Sequence, residues 1–200
     1  MTEKNKFLFS IIFLIFLLPV TKAESKALKI GDSSAKITIK VFSSLTCPHC
    51  AKFHDKIFSD LKKEYIDKGI VKFEHHGFPL DLAALNAEIV VRCNLENSKS
   101  FQLLDEIYRK QNNWAVGSDI NDTNESIKKI GLSFGLSNDE MNKCLKNENS
   151  QDKILNERIE AQKKYKIQST PTIFINEKKY EGNHEYKLFK RNRKTFINEI

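Results

Sequence analysis

A strand pattern that runs directly into two cysteines and then into a helix pattern is the feature that most constrains this fold. Apolar and polar residues alternate over 37–42, which predicts a strand. Cys47-Pro48-His49-Cys50 follows, and an apolar residue then recurs at every fourth position from Phe53 to Tyr65. That spacing predicts a helix, with Gly69 as its C-terminal cap. The sequence therefore predicts two cysteines at the junction of a strand and a helix.

The remainder of the chain has a helical middle between two mixed parts. A second strand is predicted over 70–75, and only helix patterns follow between about 81 and 150. A capping box at Ser137 and Glu140 opens one of these helices. A helix over about 151–166, a strand over 172–176, a short strand-like segment over 179–181 and a terminal helix complete the order. We interpret the helical middle as an insertion, because no Gly/Ser linker or repeat sets it apart.

Residues 1–23 have the three parts of a secretory signal. Lys4 and Lys6 precede an apolar run from Phe7 to Val20, which is short of the about 20 residues that a membrane-spanning helix requires. We expect cleavage after Ala23, and an uncleaved N-terminal anchor is the alternative. Export matters for the cysteines, because disulfides persist outside the reducing cytosol.

The composition is that of a globular chain, with 40% hydrophobic and 30% charged residues. The formal net charge is +7, but basic side chains are interspersed with acidic ones except between Lys187 and Lys194. No basic patch interleaved with aromatic residues accompanies them, so we expect no nucleic-acid partner. Weak attraction to an anionic membrane surface is the remaining interpretation of this charge.

The position of the cysteine pair favours redox chemistry. Cysteines two residues apart also occur in zinc sites and at haem attachment sites, so the spacing alone does not decide. Here Cys47 lies at the amino end of a helix with Pro48 at its first position, where unpaired backbone N–H groups and the helix dipole favour an anion. His49 adds a donor or a positive charge. A stabilised Cys47 thiolate favours the reduced pair and makes the disulfide a strong oxidant, with the more buried Cys50 as resolving thiol.

Three segments carry a resemblance to a known family. They are Ser44-Leu45-Thr46-Cys47-Pro48-His49-Cys50, Phe78-Pro79-Leu80-Asp81 and Thr170-Pro171-Thr172-Ile173-Phe174-Ile175. Together they resemble the DsbA family of exported thiol–disulfide oxidoreductases. The resemblance covers residues 30–200 and implies an α/β, thioredoxin-like fold of order βαβ … αββα. The thioredoxin-like domain then comprises 24–80 and 151–200, and the all-helical insertion comprises 81–150.

The resemblance implies a periplasmic dithiol oxidase that needs no cofactor. Its catalytic residues are Cys47, Cys50 and His49, and its partners are unfolded or reduced exported polypeptides. Reoxidation by a DsbB-like, quinone-linked membrane oxidase is implied as well. Thr170-Pro171 is then a cis-proline loop that lies against the cysteine pair and contacts substrate together with Pro48. An ordinary trans proline that opens an edge strand is the alternative.

One position departs from the family pattern. Relatives often carry a buried acid six residues before the first cysteine, where this chain has Val41. How the proton of Cys50 is handled is therefore open, and Lys40 and water are the candidate substitutes.

Two further cysteines lie in the proposed insertion. Four cysteines allow three pairings, and the adjacency of Cys47 and Cys50 leaves Cys93–Cys144 as the natural structural disulfide. The alternative is a pair of buried thiols that act as small apolar side chains.

Histidines and aromatic residues near the motif have competing interpretations. His54 shares a helical face with Cys47, but no partner pair completes a zinc site, so we expect no metal and only packing or surface roles. Trp114 is expected in the core. Leu45 and Phe78 are candidates for an exposed apolar groove that binds unfolded chains.

Two other functions remain possible from the sequence. A disulfide reductase or isomerase of the same fold is the nearer alternative, because the dipeptide between the cysteines biases the redox potential without setting it. A non-catalytic binding or metal-holding module is the alternative from a different class.

Overall fold

The computed structural model describes residues 27–182 of the chain. The signal segment predicted over 1–23, with cleavage after Ala23, lies outside the described residues. The terminal helix predicted after Gly182 lies outside them as well.

A five-stranded mixed sheet forms the centre of the described part. Its strands are β1 (Leu28–Ile30), β2 (Ile37–Ser43), β3 (Val71–Gly77), β4 (Thr172–Ile175) and β5 (Lys178–Lys179), in the spatial order β1-β3-β2-β4-β5. β2 runs parallel to β3, and the other neighbouring pairs are antiparallel. The sequence-based order lacked β1, which is added at the edge beside β3, and it began the second strand one residue too early.

Helix α1, over 48–66, joins β2 to β3 and alternates between two kinds of turn. Its α-helical stretches are Pro48–Phe53 and Ser59–Leu61, and its π-helical stretches are His54–Phe58 and Lys62–Ile66. Four residues turn a regular α-helix through about 40° more than one full turn, so a strict four-residue repeat drifts around it. The wider π turns offset this drift and keep the apolar stripe buried. Gly69, at φ 69°, ends the helix as predicted.

Six more helices follow α1 in the described part of the chain. They are α2 (Leu82–Val91), α3 (Asn97–Arg109), α4 (Gln111–Trp114), α5 (Ile120–Leu132), α6 (Asn138–Leu145) and α7 (Glu148–Tyr165). The helical middle is therefore confirmed, and so is the capping box, in which Ser137 accepts from the Glu140 N–H while the Glu140 carboxylate accepts from that of Ser137. α7 begins three residues earlier than expected. The limits of the insertion, 81–150, stay a prediction.

The two faces of the sheet are covered by different elements. Ile39, Val41 and Phe73 belong to the large core formed with α1 and the insertion, which also contains Trp114, buried as predicted. The opposite face buries Phe42 and Phe174 against α7. This arrangement confirms the predicted α/β, thioredoxin-like fold with a helical insertion. No helix within residues 27–182 is long and apolar enough to cross a membrane.

A disulfide lies inside the helical part. Cys93, two residues beyond the end of α2, is bonded to Cys144 near the end of α6, the pair that the sequence analysis proposed. The bond joins positions 51 residues apart and ties these two helices together.

Candidate active site

Cys47 lies at the junction that the sequence predicts. It is the N-cap of α1 in an extended conformation, with φ −77° and ψ 118°, and Pro48 is the first helical residue. The Cys47 carbonyl accepts from the backbone N–H groups of Cys50 at 3.0 Å and Ala51 at 3.2 Å. The Cys47 sulfur interacts with the backbone of His49 and Cys50 in the first turn, at the end of a helix where backbone donors favour an anion.

The surroundings of the two thiols make them chemically unequal. The Cys50 thiol, acting as a hydrogen-bond donor, lowers the pKa of Cys47 to about 5 against the opposing effect of burial. The Thr170 side chain and the backbone groups of Cys50 and His49 lower it further. Burial, followed by the neighbouring Cys47, raises the pKa of Cys50 strongly. At neutral pH the pair therefore consists of a thiolate at Cys47 and a protonated thiol at Cys50.

The exposed fractions of the two cysteines agree with this difference in pKa. Cys47 is 8% exposed and Cys50 only 1% exposed, and both are free thiols in the structure. His49 is exposed between them, and its contribution to Cys47 comes from the backbone. The expectation that the imidazole itself supplies a charge stays a prediction.

The loop before β4 lies against Cys47. The Thr170–Pro171 peptide bond is cis, and the Thr170 carbonyl lies 3.4 Å from the Cys47 sulfur. Pro48 is exposed beside the same sulfur in the first turn of α1. The structure thus brings Thr170 to the cysteine pair, although 123 residues separate Thr170 from Cys47 in the chain.

Gln111, in the insertion, contributes to the site and was not predicted from the sequence. Its buried side-chain amide donates to the carbonyl oxygens of Leu45, at 2.7 Å, and Cys47, at 3.1 Å. These bonds hold the segment that enters α1. A single glutamine carries no pattern of its own, so nothing in the sequence marks this contact.

The apolar groove predicted from Leu45 and Phe78 is wrong, because both side chains are in the core, at 0% and 4% exposed. The next segment is exposed instead, with Leu80 at 54% and Leu82 at 55%. Between them Asp81 accepts from the Thr46 hydroxyl at 2.7 Å, which places these leucines near the motif.

Lys40 does not replace the missing acid. Its ammonium pairs with Glu177 and lies over the Tyr165 ring, on the sheet face opposite Val41 and Cys50. The predicted substitution by Lys40 is therefore wrong, because neighbouring residues of a strand point to opposite faces.

A buried ionic network that the sequence analysis also missed lies on the face of Val41. His75 on β3 bonds Glu88 on α2 at 3.1 Å, and both side chains are 2% exposed. Glu88 also pairs with Arg92, which in turn reaches Glu157 on α7 at 2.9 Å. Burial opposes ionisation of Glu88, but the charges of His75 and Arg92 outweigh it and lower its pKa to about 2. This network joins the sheet, the insertion and α7.

Three of the four histidines in residues 27–182 each pair with an acidic side chain, and the fourth, His49, is exposed. His54 pairs with Asp105, His75 with Glu88 and His76 with Glu74. Within residues 27–182, no group of three or more His, Cys, Asp or Glu side chains is arranged to hold a metal ion.

A cysteine pair at the start of the first long helix, against a cis-proline loop beside a mixed sheet, defines a thioredoxin-fold protein with a CxxC site. Residues 23–192 match the family profile described as Thioredoxin, and the chain belongs to this family.

Solved structures and sequence relatives confirm the resemblance to DsbA. The crystal structure of Wolbachia pipientis alpha-DsbA1 superposes with a TM-score of 0.79 at 27% identity, over 92% of this chain and 94% of that one. Disulfide bond formation protein D of Bacillus subtilis is 29% identical over 158 residues, which is 74% of this chain and 67% of that protein.

A Rickettsia bellii protein that carries the name protein-disulfide oxidoreductase is 29% identical to this chain over 155 residues. The match covers 78% of this chain but only 59% of the Rickettsia protein. The chain therefore spans little more than half the length of that relative.

Proposed function

We propose that this protein is an exported, periplasmic dithiol oxidase that donates the Cys47–Cys50 disulfide to newly exported polypeptides. The observation that carries the proposal is the inequality of the two thiols, with a lowered pKa at the outer sulfur and a raised one at the inner sulfur. A stabilised Cys47 thiolate favours the reduced pair, so its disulfide gives up oxidising equivalents readily. Similarity to alpha-DsbA1 and to disulfide bond formation protein D supports the same reaction.

The reaction proceeds by two thiol–disulfide exchanges. A substrate thiolate attacks the Cys47 sulfur of the oxidised pair, the Cys47–Cys50 bond breaks, and Cys50 leaves with the electron pair and takes a proton. A second substrate thiolate then attacks the substrate sulfur of the mixed disulfide and releases Cys47 as a thiolate. The substrate gains one disulfide, and the enzyme pair is reduced by two electrons.

The cis-proline loop and the exposed edge of the motif support a polypeptide substrate. Thr170 and Pro171 lie beside the Cys47 sulfur and would present backbone groups to an extended chain, together with the exposed ring of Pro48. The nearby Leu80 and Leu82 offer apolar contact. Reoxidation of the pair is assigned to a DsbB-like, quinone-linked membrane oxidase.

Equilibration of the pair with defined glutathione buffers tests the proposal. We expect a potential nearer the about −120 mV of DsbA than the about −270 mV of thioredoxin. A potential at the thioredoxin end would refute the oxidase role and favour the reductase. Rapid refolding of a scrambled, disulfide-bonded substrate without added oxidant would favour the isomerase.

Matched variants of the two cysteines test the mechanism. The Cys50→Ala variant is first converted to a mixed disulfide between Cys47 and glutathione. A substrate thiolate that attacks the Cys47 sulfur should then release glutathione and leave a stable, thiol-reducible adduct between Cys47 and the substrate. Cys47→Ala treated in the same way should form none. Adducts at equal yield in both variants would contradict attack at Cys47.

A further inference from the structure

The segment that presents Cys47 is a tight turn between β2 and α1. The Cys47 N–H donates to the Ser44 carbonyl at 3.1 Å, so residues 44–47 close a single turn. The Cys47 sulfur interacts with the backbone of His49 and Cys50 at the start of the helix. Only the Cβ atom separates this sulfur from the main chain, so its position relative to those backbone groups follows the conformation of the turn. Groups that fix the turn are therefore placed to influence the sulfur.

A chain of hydrogen bonds ties the turn to the segment that precedes α2. The Thr46 hydroxyl donates to Asp81 Oδ2 at 2.7 Å, and the Leu80 N–H donates to the Ser44 hydroxyl at 3.3 Å. The hydroxyls of Ser44 and Thr46 lie 3.2 Å apart. Because Thr46 gives its one hydroxyl hydrogen to Asp81, the Ser44 hydroxyl must be the donor to Thr46. The bonds therefore run without a break from Leu80 through the turn to Asp81.

The other carboxylate oxygen of Asp81 is held by α2. Asp81 is the N-cap of this helix, and its Oδ1 accepts from the Ala84 N–H at 2.7 Å. An aspartate at this position stabilises the helix, so the residue has a structural role of its own. The cap uses one oxygen and leaves Oδ2 for Thr46. The Thr46 bond has an ionised acceptor, and such bonds are roughly twice as strong as those between neutral groups.

Gln111 holds the remaining groups of the turn. Its side-chain amide donates to the carbonyls of Leu45 and Cys47. Each of the four residues of the turn thus shares a hydrogen bond with the chain between 80 and 111. Thr46 precedes Cys47 directly, so its bond to Asp81 restrains the junction where the nucleophile begins.

We propose that Asp81 is a positioning residue for Cys47 and that it acts through the Thr46 hydroxyl. The inference deepens the proposed function and rests on it, because it concerns the redox equilibrium of the same cysteine pair. Thr46→Val keeps the shape of the side chain and removes the hydroxyl. The turn then loses one restraint, and the Asp81 carboxylate loses a donor that offsets its charge. Both changes disfavour a thiolate at Cys47, which makes the reduced pair less stable and the disulfide a weaker oxidant.

Equilibration with glutathione measures this effect. We expect Thr46→Val to lower the equilibrium constant for oxidation of glutathione by the pair about 3- to 10-fold, which corresponds to about 15 to 30 mV. The midpoint of Cys47 alkylation should rise by about 0.5 to 1 pH unit. Thr46→Ser keeps the hydroxyl and should restore both values. The matched control is Thr123→Val, which removes the hydroxyl of a buried threonine on α5 that donates to the Asp119 carbonyl, and it should leave both values at those of the wild type.

A second background tests whether Asp81 is the group through which Thr46 acts. Asp81→Ser keeps an N-cap residue on α2, but its single side-chain oxygen is taken up by the cap. In this background Thr46→Val should change the equilibrium constant by no more than about 2-fold.

Either of two results overturns the inference. One is a change of less than about 2-fold when Thr46→Val is made in the otherwise wild-type protein. The other is an equal effect of Thr46→Val in both backgrounds, since the hydroxyl would then act independently of Asp81. A wild-type potential at the thioredoxin end of the scale would instead refute the proposed function, and the comparison between variants would still stand.

Discussion

The lowered pKa of Cys47 makes the stability of the reduced protein depend on pH in a defined direction. The folded thiol titrates at about 5, against 9.0 as its ordinary value. A group whose pKa is depressed by folding contributes stability that is complete above the unfolded pKa and is lost as the pH falls through the folded one. The reduced protein should therefore gain stability from Cys47 between pH 5 and pH 9.

The size of this effect follows from the two values. At pH 7 the folded pKa lies two units below the solution pH, and each unit corresponds to about 1.36 kcal/mol, which gives about 2.7 kcal/mol. Partial solvent screening of the sulfur reduces this to about 2 kcal/mol. The oxidised pair gains nothing from this ionisation. The same energy therefore makes the pair about 40 mV more oxidising at pH 7.

Urea unfolding of the reduced protein at pH 5 and at pH 7, in parallel with Cys47→Ser, measures the effect. Because other groups titrate alike in both proteins, the difference in free energy of unfolding between them isolates Cys47. We expect this difference to increase by about 2 kcal/mol from pH 5 to pH 7. Alkylation of the wild type by iodoacetamide should show a midpoint near the pKa of about 5. A midpoint above pH 8, with no change in the stability difference, would refute the reasoning.

Three further predictions concern the elements that support the site. The double variant Cys93→Ala with Cys144→Ala should lower the free energy of unfolding in oxidising buffer by about 4 kcal/mol, because the disulfide closes a loop of 51 residues. Reductant, which breaks this bond in the wild type, should then no longer lower the stability of the double variant through it. Gln111→Leu leaves two carbonyls unpaired and should cost about 1–3 kcal/mol while slowing alkylation of Cys47. The control Gln151→Leu removes a comparable bond, to Leu145, and should leave alkylation unchanged. Gly77→Ala forces a Cβ against Glu88 and should cost about 1–3 kcal/mol in urea unfolding, and a neutral result would show that the buried network can shift.

The sequence predicted the local elements well where its signal was periodic. The alternation of β2 and the four-residue stripe of α1 identified both elements, and the stripe even carried the signal for π turns, since a strict repeat of four does not fit a regular α-helix. β1 was missed because Leu28–Ile30 is three residues long, too short for a period, and its pairing with β3 is decided by tertiary contact.

Only the parts of the site that lie in short sequence motifs were predicted. Cys47, Cys50 and the Thr170–Pro171 loop stood out from sequence context, and the structure places Thr170 beside Cys47. Gln111 lies 64 residues from Cys47 in the chain and has no pattern of its own. The exposure predicted for Leu45 and Phe78 was wrong for a related reason, because burial beside a motif depends on which distant segment covers it.

The helical insertion is part of the reaction centre and not only a cover for it. It holds the entry to α1 through the hydrogen bonds that Gln111 donates to the carbonyls of Leu45 and Cys47. It also supplies Glu88, whose pairing with His75 fixes α2 against the sheet. Because an unpaired buried charge costs far more than a lost surface contact, the Glu88 pair couples the position of the insertion to the sheet that carries the cysteines.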